Sequence, residues 1–430
     1  MRERLRPIRR GLRPALWCAA AVVAVLQAWG GLGRRWSDRL SDLQVYLGGV
    51  DSLRSGHSLY DFAAAGTGAP FTYPPFAGLV FLPVARLDTT VLMVGWTVLT
   101  VAAVVVIAMW CRRTAASCWR LPATLALPLL AVLLFLSAPV SSNLRFGQVS
   151  VFLALMILAD SLKITSPRFA GVATGVAAAI KLTPLIFIPY LWFAGQRRAA
   201  VTALGTFVAA TGLTWLFLPG ESKRYWTVEV LDVNRVGNII TGGNQSLNGA
   251  LLRLGVADGT RTVVVALLGG AVVLVALWRA AHAARAGHLL AGAVIVGAAG
   301  LVFSPVSWTH HQIWLILAAA VPLNAGVRGN RIWAAIAALL MIVPVTSIGA
   351  NLPGGVVWGN ARLLLAIAIA CAIPFAGTTP LWGFRRRVSA GTGARAATPP
   401  AHAADLPAAH STASGHPRRH LPAGAIHRLA

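Results

Sequence analysis

Long apolar runs alternate with short polar or basic loops along most of the chain, and that alternation predicts a bundle of membrane helices. The first run covers residues 17–30. Others fall at 90–110, 121–140, 151–159, 169–192, 199–218, 263–278, 289–303, 313–322, 332–348 and 361–375. A shorter run at 75–87 either re-enters the membrane as a loop or half of a hairpin or spans it, and together these give about 11 to 13 membrane segments. The 169–192 run is interrupted at Lys181-Leu182-Thr183-Pro184. The proline removes a backbone donor and the lysine places an ion within an apolar run, so two half-length helices meeting at Lys181 are expected. Gly171 and Gly175 have the small-xxx-small spacing of closely packed helices. Between the first two long runs, Leu40, Leu43, Leu47, Val50 and Leu53 recur at helical spacing among polar residues. That pattern predicts a helix lying along the membrane surface with Asp42 at its apolar boundary. From residue 385 to 430 no apolar period remains, which predicts a disordered cytoplasmic tail.

Composition narrows the class. A chain of 430 residues that is 57% hydrophobic and 11% charged, with mean hydropathy +0.70, has too much apolar surface for a water-soluble core. The expected fold is therefore an all-α polytopic membrane protein. A net charge of +25 would suggest nucleic acid in a soluble protein. Here the arginines flank apolar runs, where the positive-inside bias and anionic headgroups account for them, and no nucleic-acid partner is expected. Six arginines precede Ala15, so residues 1–13 are expected in the cytoplasm, followed by a transmembrane domain over 14–376. Loops 34–75 and 219–260 then face outward, and the turns near 165, 197, 283 and 329 face inward with both ends of the chain. No small-residue cleavage site follows the first run before Arg34-Arg35, so it is expected to be retained. The four cysteines form no CxxC pair, and neither a disulfide framework, a metal site nor a cofactor is indicated. No long-period repeat marks an inverted-repeat transporter.

Candidate chemistry concentrates outside. Loop 34–75 holds Asp38, Asp42, Asp51 and Asp61, four of the twelve acidic residues. Asp42 is the candidate base, while Asp38 and Asp51 read as solvated charges. The expected topology gathers Asp42, Tyr73, Asn143, Arg145, Gln148, Lys181, Asn244, Gln245, Asn248, His310 and His311 on one outer face. Polar groups converging at the rim of an apolar bundle imply a ligand that is part sugar and part lipid. An ammonium at a helix break suits a phosphate, although a lysine there can also snorkel toward headgroups. Adjacent histidines point in different directions, so one of His310 and His311 is expected in the site, and the pair is not a metal motif. Asn244-Gln245-Ser246 fits a glycosylation acceptor pattern but reads as hydrogen-bonding side chains near a ligand. Asp160, beside Lys163, reads as half of an intramembrane salt bridge.

In order along the chain, the SDLQVY aspartate, FTYPP, FGQVS, GVAAAIKLTPLIFIPYL, GGNQSLNG and SPVSWTHHQ resemble the bacterial polyprenyl-phosphate-mannose-dependent α-1,2-mannosyltransferases of the GT-C superfamily. The resemblance covers roughly residues 14–376. It implies a helical bundle with an extracytoplasmic cavity and transfer of mannose from a polyprenyl phosphate to a lipid-linked mannoside or lipoglycan, in the bacterial plasma membrane. By position it also implies that Asp42 is the catalytic aspartate and that a histidine of SWTHHQ is in the active site. The chemistry is consistent on its own terms. Passing from a β-linked sugar phosphate to an α-linkage is a single inverting displacement. It needs one carboxylate to take the acceptor proton and cationic or hydrogen-bonding groups to hold the departing phosphate. The alternatives are transfer of another sugar, such as arabinose or glucose, or a lipid or sugar transporter or flippase.

Overall fold

The computed structural model describes residues 6–378 other than Gly66 and Ala350; the expected tail from 385 lies outside these residues. Among them every regular element is a helix, and strand-like pairing is confined to two isolated bridges, Ala63 with Pro70 and Leu323 with Phe375. In chain order the first half contains α1 (Arg6–Leu32), α2 (Ser41–Arg54), α3 (Pro75–Phe81), α4 (Thr89–Trp119), α5 (Ala123–Leu136) and α6 (Ala138–Phe146). It continues with α7 (Ser150–Ser161), α8 (Val172–Ile180), α9 (Phe187–Phe193) and α10 (Arg197–Phe217). Gly11–Leu32, α4, α10 and Asp258–Arg285 are each long and apolar enough to cross a membrane, and α5 with α6 reaches that length only as a pair bent by 61°, a broken span or a re-entrant loop. The bend falls at Ser137, which is extended, with Pro139 entering the first turn of α6. Shorter apolar helices, among them α7, Leu289–Phe303 and Ala361–Cys371, complete the bundle, and the chain is an all-α polytopic membrane protein. Fewer single helices reach membrane length than the expected number of segments because several expected segments are short or broken.

Two of those differences have clear causes. The apolar run at 75–87 folds as the seven-residue α3 and a 3₁₀ turn at Val84–Arg86. At 1.5 Å per residue α3 covers only about 10 Å, a third of a hydrocarbon core, so it does not span by itself. The second long run extends past Trp110: α4 continues through Arg112 and Arg113 to Trp119 and stops where Arg120 turns left-handed (φ 54°). The expected break is present. Lys181 is extended (φ −149°, ψ 135°) after α8, and Pro184 opens a 3₁₀ turn before α9.

Asp160 departs from the expected salt bridge with Lys163. Its carboxylate accepts from Thr165 Oγ1 at 2.6 Å and from both the backbone N–H and the hydroxyl of Thr174, at 2.8 and 2.9 Å. A buried carboxylate here satisfies the orphan donors of the first turn of α8, which a lysine could not do.

The second half closes around Leu289–Phe303, a helix buried over most of its length. Two buried arginines near it pair with carbonyls. Arg279 donates to the carbonyls of Ile369 at 2.9 Å, Ala370 at 2.6 Å and Ile373. Arg362 donates to those of Leu340 at 3.2 Å and Val343 at 3.3 Å. Each guanidinium takes up carbonyls left open where a helix ends, at the end where the helix dipole favours a cation.

α8 packs on α10 through its glycines: a Cβ on Gly175 would lie 2.4 Å from the carbonyl oxygen of Ala203, whereas Gly205 has open space. Gly175→Ala should therefore lower the thermal midpoint of the detergent-solubilised protein by several degrees, in keeping with the roughly 1–3 kcal/mol cost of overpacking. Gly205→Ala should not lower it. Equal midpoints for the two variants would show that the α8–α10 contact is looser than described.

Candidate active site

α2 delivers the carboxylate. Leu43, Leu47 and Val50 of the expected apolar face are buried along it, and Val45 and Tyr46, outside that face, are buried as well, whereas Leu53 is only half-buried. Asp42 and Tyr46 are four residues apart and so share a face. The helix starts abruptly because the preceding residue, Leu40, is left-handed (φ 44°, ψ 49°) and fully buried. For a leucine that conformation costs about 1–2 kcal/mol, and burial of the side chain holds it there.

α6 delivers the partner. It ends at Gly147 in a left-handed cap (φ 68°, ψ 37°), and a Cβ there would lie 2.8 Å from Leu43 Cβ and 2.9 Å from Leu40 Cβ. Only glycine allows both the turn and this approach. The next residue, Gln148, then donates through Nε2 to the Asp42 carboxylate. Its carbonyl oxygen accepts from the hydroxyls of Tyr46 at 2.9 Å and Tyr73 at 3.0 Å. The two phenols also touch, at 2.9 Å.

Lys181, at the break between α8 and α9, closes the chain of hydrogen bonds. Its Nζ donates to the Tyr73 hydroxyl at 3.2 Å and lies 2.8 Å from His311 Nε2. His311 Nδ1 accepts from the Trp308 N–H at 3.1 Å. With Nδ1 accepting, the neutral ring carries its proton on Nε2, so a ring N–H and an ammonium are two donors facing each other. An anionic oxygen approaching the pair from the cleft would accept from both. Lys181 and His311 line one cleft with Ser150, Leu153, Ile157, Phe187 and Trp314. The Ser150 hydroxyl is buried with no protein partner among the described residues.

Tyr73 is held from outside. The Tyr60 hydroxyl donates to its carbonyl at 3.0 Å. Loop 34–75 is tied to the loop after α10 by Glu221, which accepts from Ser58 Oγ at 2.8 Å, and by Arg224, which bridges Asp61 at 2.6 Å and Glu229 at 2.7 Å.

The structure thus brings together Asp42, Tyr73, Gln148, Lys181 and His311, and adds Tyr46, whose only sequence signal is its i+4 spacing from Asp42. His310 packs beside His311 with Nδ1 3.5 Å from Ser142 Oγ, and its Nε2 is buried without a protein partner. The other candidates make no hydrogen bond to Asp42, Lys181 or His311 among the described residues. With its amide oriented to suit its neighbours, Asn143 donates to the Gln148 carbonyl at 2.9 Å and accepts from Val151 N–H at 3.2 Å, shaping the α6–α7 turn. Asn244 accepts from Ser246 and Ser307 N–H, at 3.2 and 2.9 Å. Gln245 accepts from Leu363 N–H at 3.0 Å and donates to the Gly242 and Gly359 carbonyls, both at 2.8 Å. Asn248 donates to the Pro305 carbonyl and accepts from Arg261, both at 3.0 Å. These three amides join their loop to the segments at 305–307 and 359–363 and have no contact with the Asp42 group among those described. Arg145 is exposed, 4.9 Å above the Phe146 ring.

Burial raises the Asp42 carboxyl above its ordinary value, and the hydrogen bond from Gln148 and the charge of Lys181 oppose this without cancelling it. A carboxyl with a raised value in the fold gives up stability as pH rises through that value. Asp42→Asn keeps an acceptor for Gln148 and should leave the thermal midpoint at pH 7 equal to or above that of the parent, with the advantage fading as pH falls. A midpoint several degrees lower at pH 7 would show that the ionised carboxylate stabilises the fold.

Residues 71–305 match glycosyltransferase family 87. The chain is 33% identical over 352 residues to the polyprenol-phosphate-mannose-dependent α-(1-2)-phosphatidylinositol mannoside mannosyltransferase of Mycobacterium tuberculosis, an alignment covering 78% of this chain and 82% of that protein. It is 36% identical over 325 residues to the corresponding phosphatidylinositol pentamannoside mannosyltransferase of Mycolicibacterium smegmatis, covering 70% of this chain and 75% of that one. No solved structure matches.

Proposed function

The chain belongs to glycosyltransferase family 87, and from that premise we propose that it transfers mannose from polyprenol-phosphate mannose to a mannosylated phosphatidylinositol glycolipid, forming an α-1,2 linkage with inversion. The observation that carries this reading is the half-buried carboxylate of Asp42, joined through Gln148 and Tyr73 to the Lys181–His311 pair.

In the proposed reaction the acceptor hydroxyl attacks the anomeric carbon as its proton passes to Asp42. The new carbon–oxygen bond forms, the bond from the anomeric carbon to the phosphate oxygen breaks, and the electron pair leaves on the polyprenyl phosphate. A carboxyl with a raised value is a better match for a base working near neutral pH than an ordinary one. Lys181 and the His311 ring N–H are the donors that receive the phosphate, and the apolar cleft beside them suits the first prenyl units of the donor. The reading keeps the site extracytoplasmic, both termini and the turns near 165, 197, 283 and 329 inside, and 14–376 as the catalytic domain. A membrane-impermeant thiol reagent should label a single cysteine at Asp51 but not one at Lys163 in intact cells; the reverse pattern would overturn this orientation.

The decisive assay incubates purified protein with radiolabelled polyprenyl-phosphate mannose, arabinose or glucose and a lipid extract, and asks which label moves. Only mannose should transfer. Asp42→Asn should lose about 10²–10⁴-fold in turnover, while Asp38→Asn and Asp51→Asn lose far less. If Asp42→Asn keeps more than about a tenth of parent turnover, a loss under ~1.4 kcal/mol, the base lies elsewhere. In the same assay Lys181→Met should weaken donor use by about 1.5–3 kcal/mol, the scale of a hydrogen bond to a charged group.

A further inference from the structure

Most outer-loop guanidiniums are already occupied. Arg224 and Arg235 face Asp61 and Glu229. Arg253 donates to the carbonyls of Thr241 and Asn244, both at 2.9 Å. Arg34 and Arg145 differ. Among the described residues no carboxylate lies within ion-pair distance of either. They are nevertheless within electrostatic reach of each other, with Asp38 as the nearby acid.

The packing explains why they meet. A Cβ on Gly31 would lie 2.7 Å from the Leu144 carbonyl oxygen and 3.5 Å from Arg145 Cα, so the end of α1 rests on the end of α6. Arg39 lies beside Arg34, donating to its carbonyl at 3.1 Å with its guanidinium 5.5 Å above the Trp36 ring. Gln44 fixes the loop onto α2 by donating to the carbonyls of Trp36 at 2.7 Å and Arg39 at 2.6 Å. The Nε atoms of Arg34 and Arg39 are shielded from solvent and have no acceptor among the described residues. Like charges held together with unused donors are costly unless an anion joins them.

The height of the cluster identifies the anion. Trp29 and Trp36, on either side of Arg34, are 74% and 52% exposed, as tryptophans at the lipid headgroup level are. The cluster also adjoins the base on both of its supports: Arg39 precedes Asp42, and Arg145 precedes Gln148, by three residues each. Three residues reach at most roughly 10–11 Å. We propose that Arg34, Arg39 and Arg145 seat the phosphodiester of the glycolipid acceptor, holding it at headgroup level while its sugar reaches Asp42. This rests on the mannosyltransferase reading above. It keeps the acceptor phosphate away from the donor phosphate, because Lys181 closes the far end of the hydrogen-bond chain that begins at Asp42.

The test uses two acceptors with the same terminal mannose, one on phosphatidylinositol and one on an uncharged alkyl chain, in neutral detergent. Arg34→Gln/Arg145→Gln should lower kcat/KM for the phosphodiester acceptor at least tenfold more than for the uncharged one, through KM. Arg34→Lys/Arg145→Lys should recover most of that loss. Equal losses on both acceptors would overturn the proposal. So would a loss that appears only when anionic bilayer lipid is added, which would make the cluster a seat for bulk lipid. A second readout is independent of turnover: the tryptophan fluorescence response to phosphatidylinositol titrated into the purified protein should need at least tenfold more lipid in the double Gln variant, and an unchanged titration would count against the seat. Because that measurement needs no sugar transfer, failure of the mannosyltransferase reading and failure of this inference are separate results.

Discussion

A carboxylate at the edge of an apolar bundle must be given partners or take up a proton. Much of the architecture around α2, α6 and α8 follows from meeting that demand at Asp42 without fully neutralising it. Gln148 supplies one hydrogen bond, and Lys181 supplies a charge through an intervening tyrosine. Each partner comes from a place where a regular helix is interrupted: the left-handed cap of α6 for Gln148, and the extended residue after α8 for Lys181. Regular helices in a membrane satisfy their own backbone and point side chains sideways. Interrupting them is how the chain aims polar groups at one point.

Only one of these interruptions was legible in the sequence; α6 and its cap at Gly147 fall where a span ending at Val140 and an outer loop were expected. Lys181 followed by Pro184 within an apolar run signals a break because a proline cannot continue a helix and an ammonium cannot face lipid, and the period of Leu43, Leu47 and Val50 signals α2 directly. The identities of the side chains at the meeting point were less legible. Tyr46 escaped notice because a tyrosine on an amphipathic face looks like any interfacial aromatic until its partner is known. The amides of Asn143, Asn244, Gln245 and Asn248 looked like ligand contacts because an amide that joins two backbone segments and an amide that grips a sugar have the same donors and acceptors. Asp160 misled for a related reason: a lysine three residues away is visible in sequence, whereas the unpaired N–H groups of a helix start fourteen residues on are not.

The large positive charge also has a more varied origin than loop retention. Some arginines flank apolar helices, as Arg197 and Arg198 do at the start of α10. Others are inside the bundle without acidic partners, and there the partial negative charge at helix C-termini takes the place of carboxylates. This lets a chain with twelve acidic residues and 37 basic ones bury guanidiniums without a matching number of buried acids.

Arg279 shows what such capping means for assembly at the ribosome. Its acceptors, the carbonyls of Ile369, Ala370 and Ile373, are synthesised 90 to 94 residues later. Until Ala361–Cys371 has entered the membrane, the guanidinium at the end of Asp258–Arg285 has no native acceptor and must stay hydrated. The helix that carries it therefore cannot settle to its final depth when it is made. Seating of the two is one coupled event, and the last apolar helix of the domain acts as the clasp that commits the earlier one.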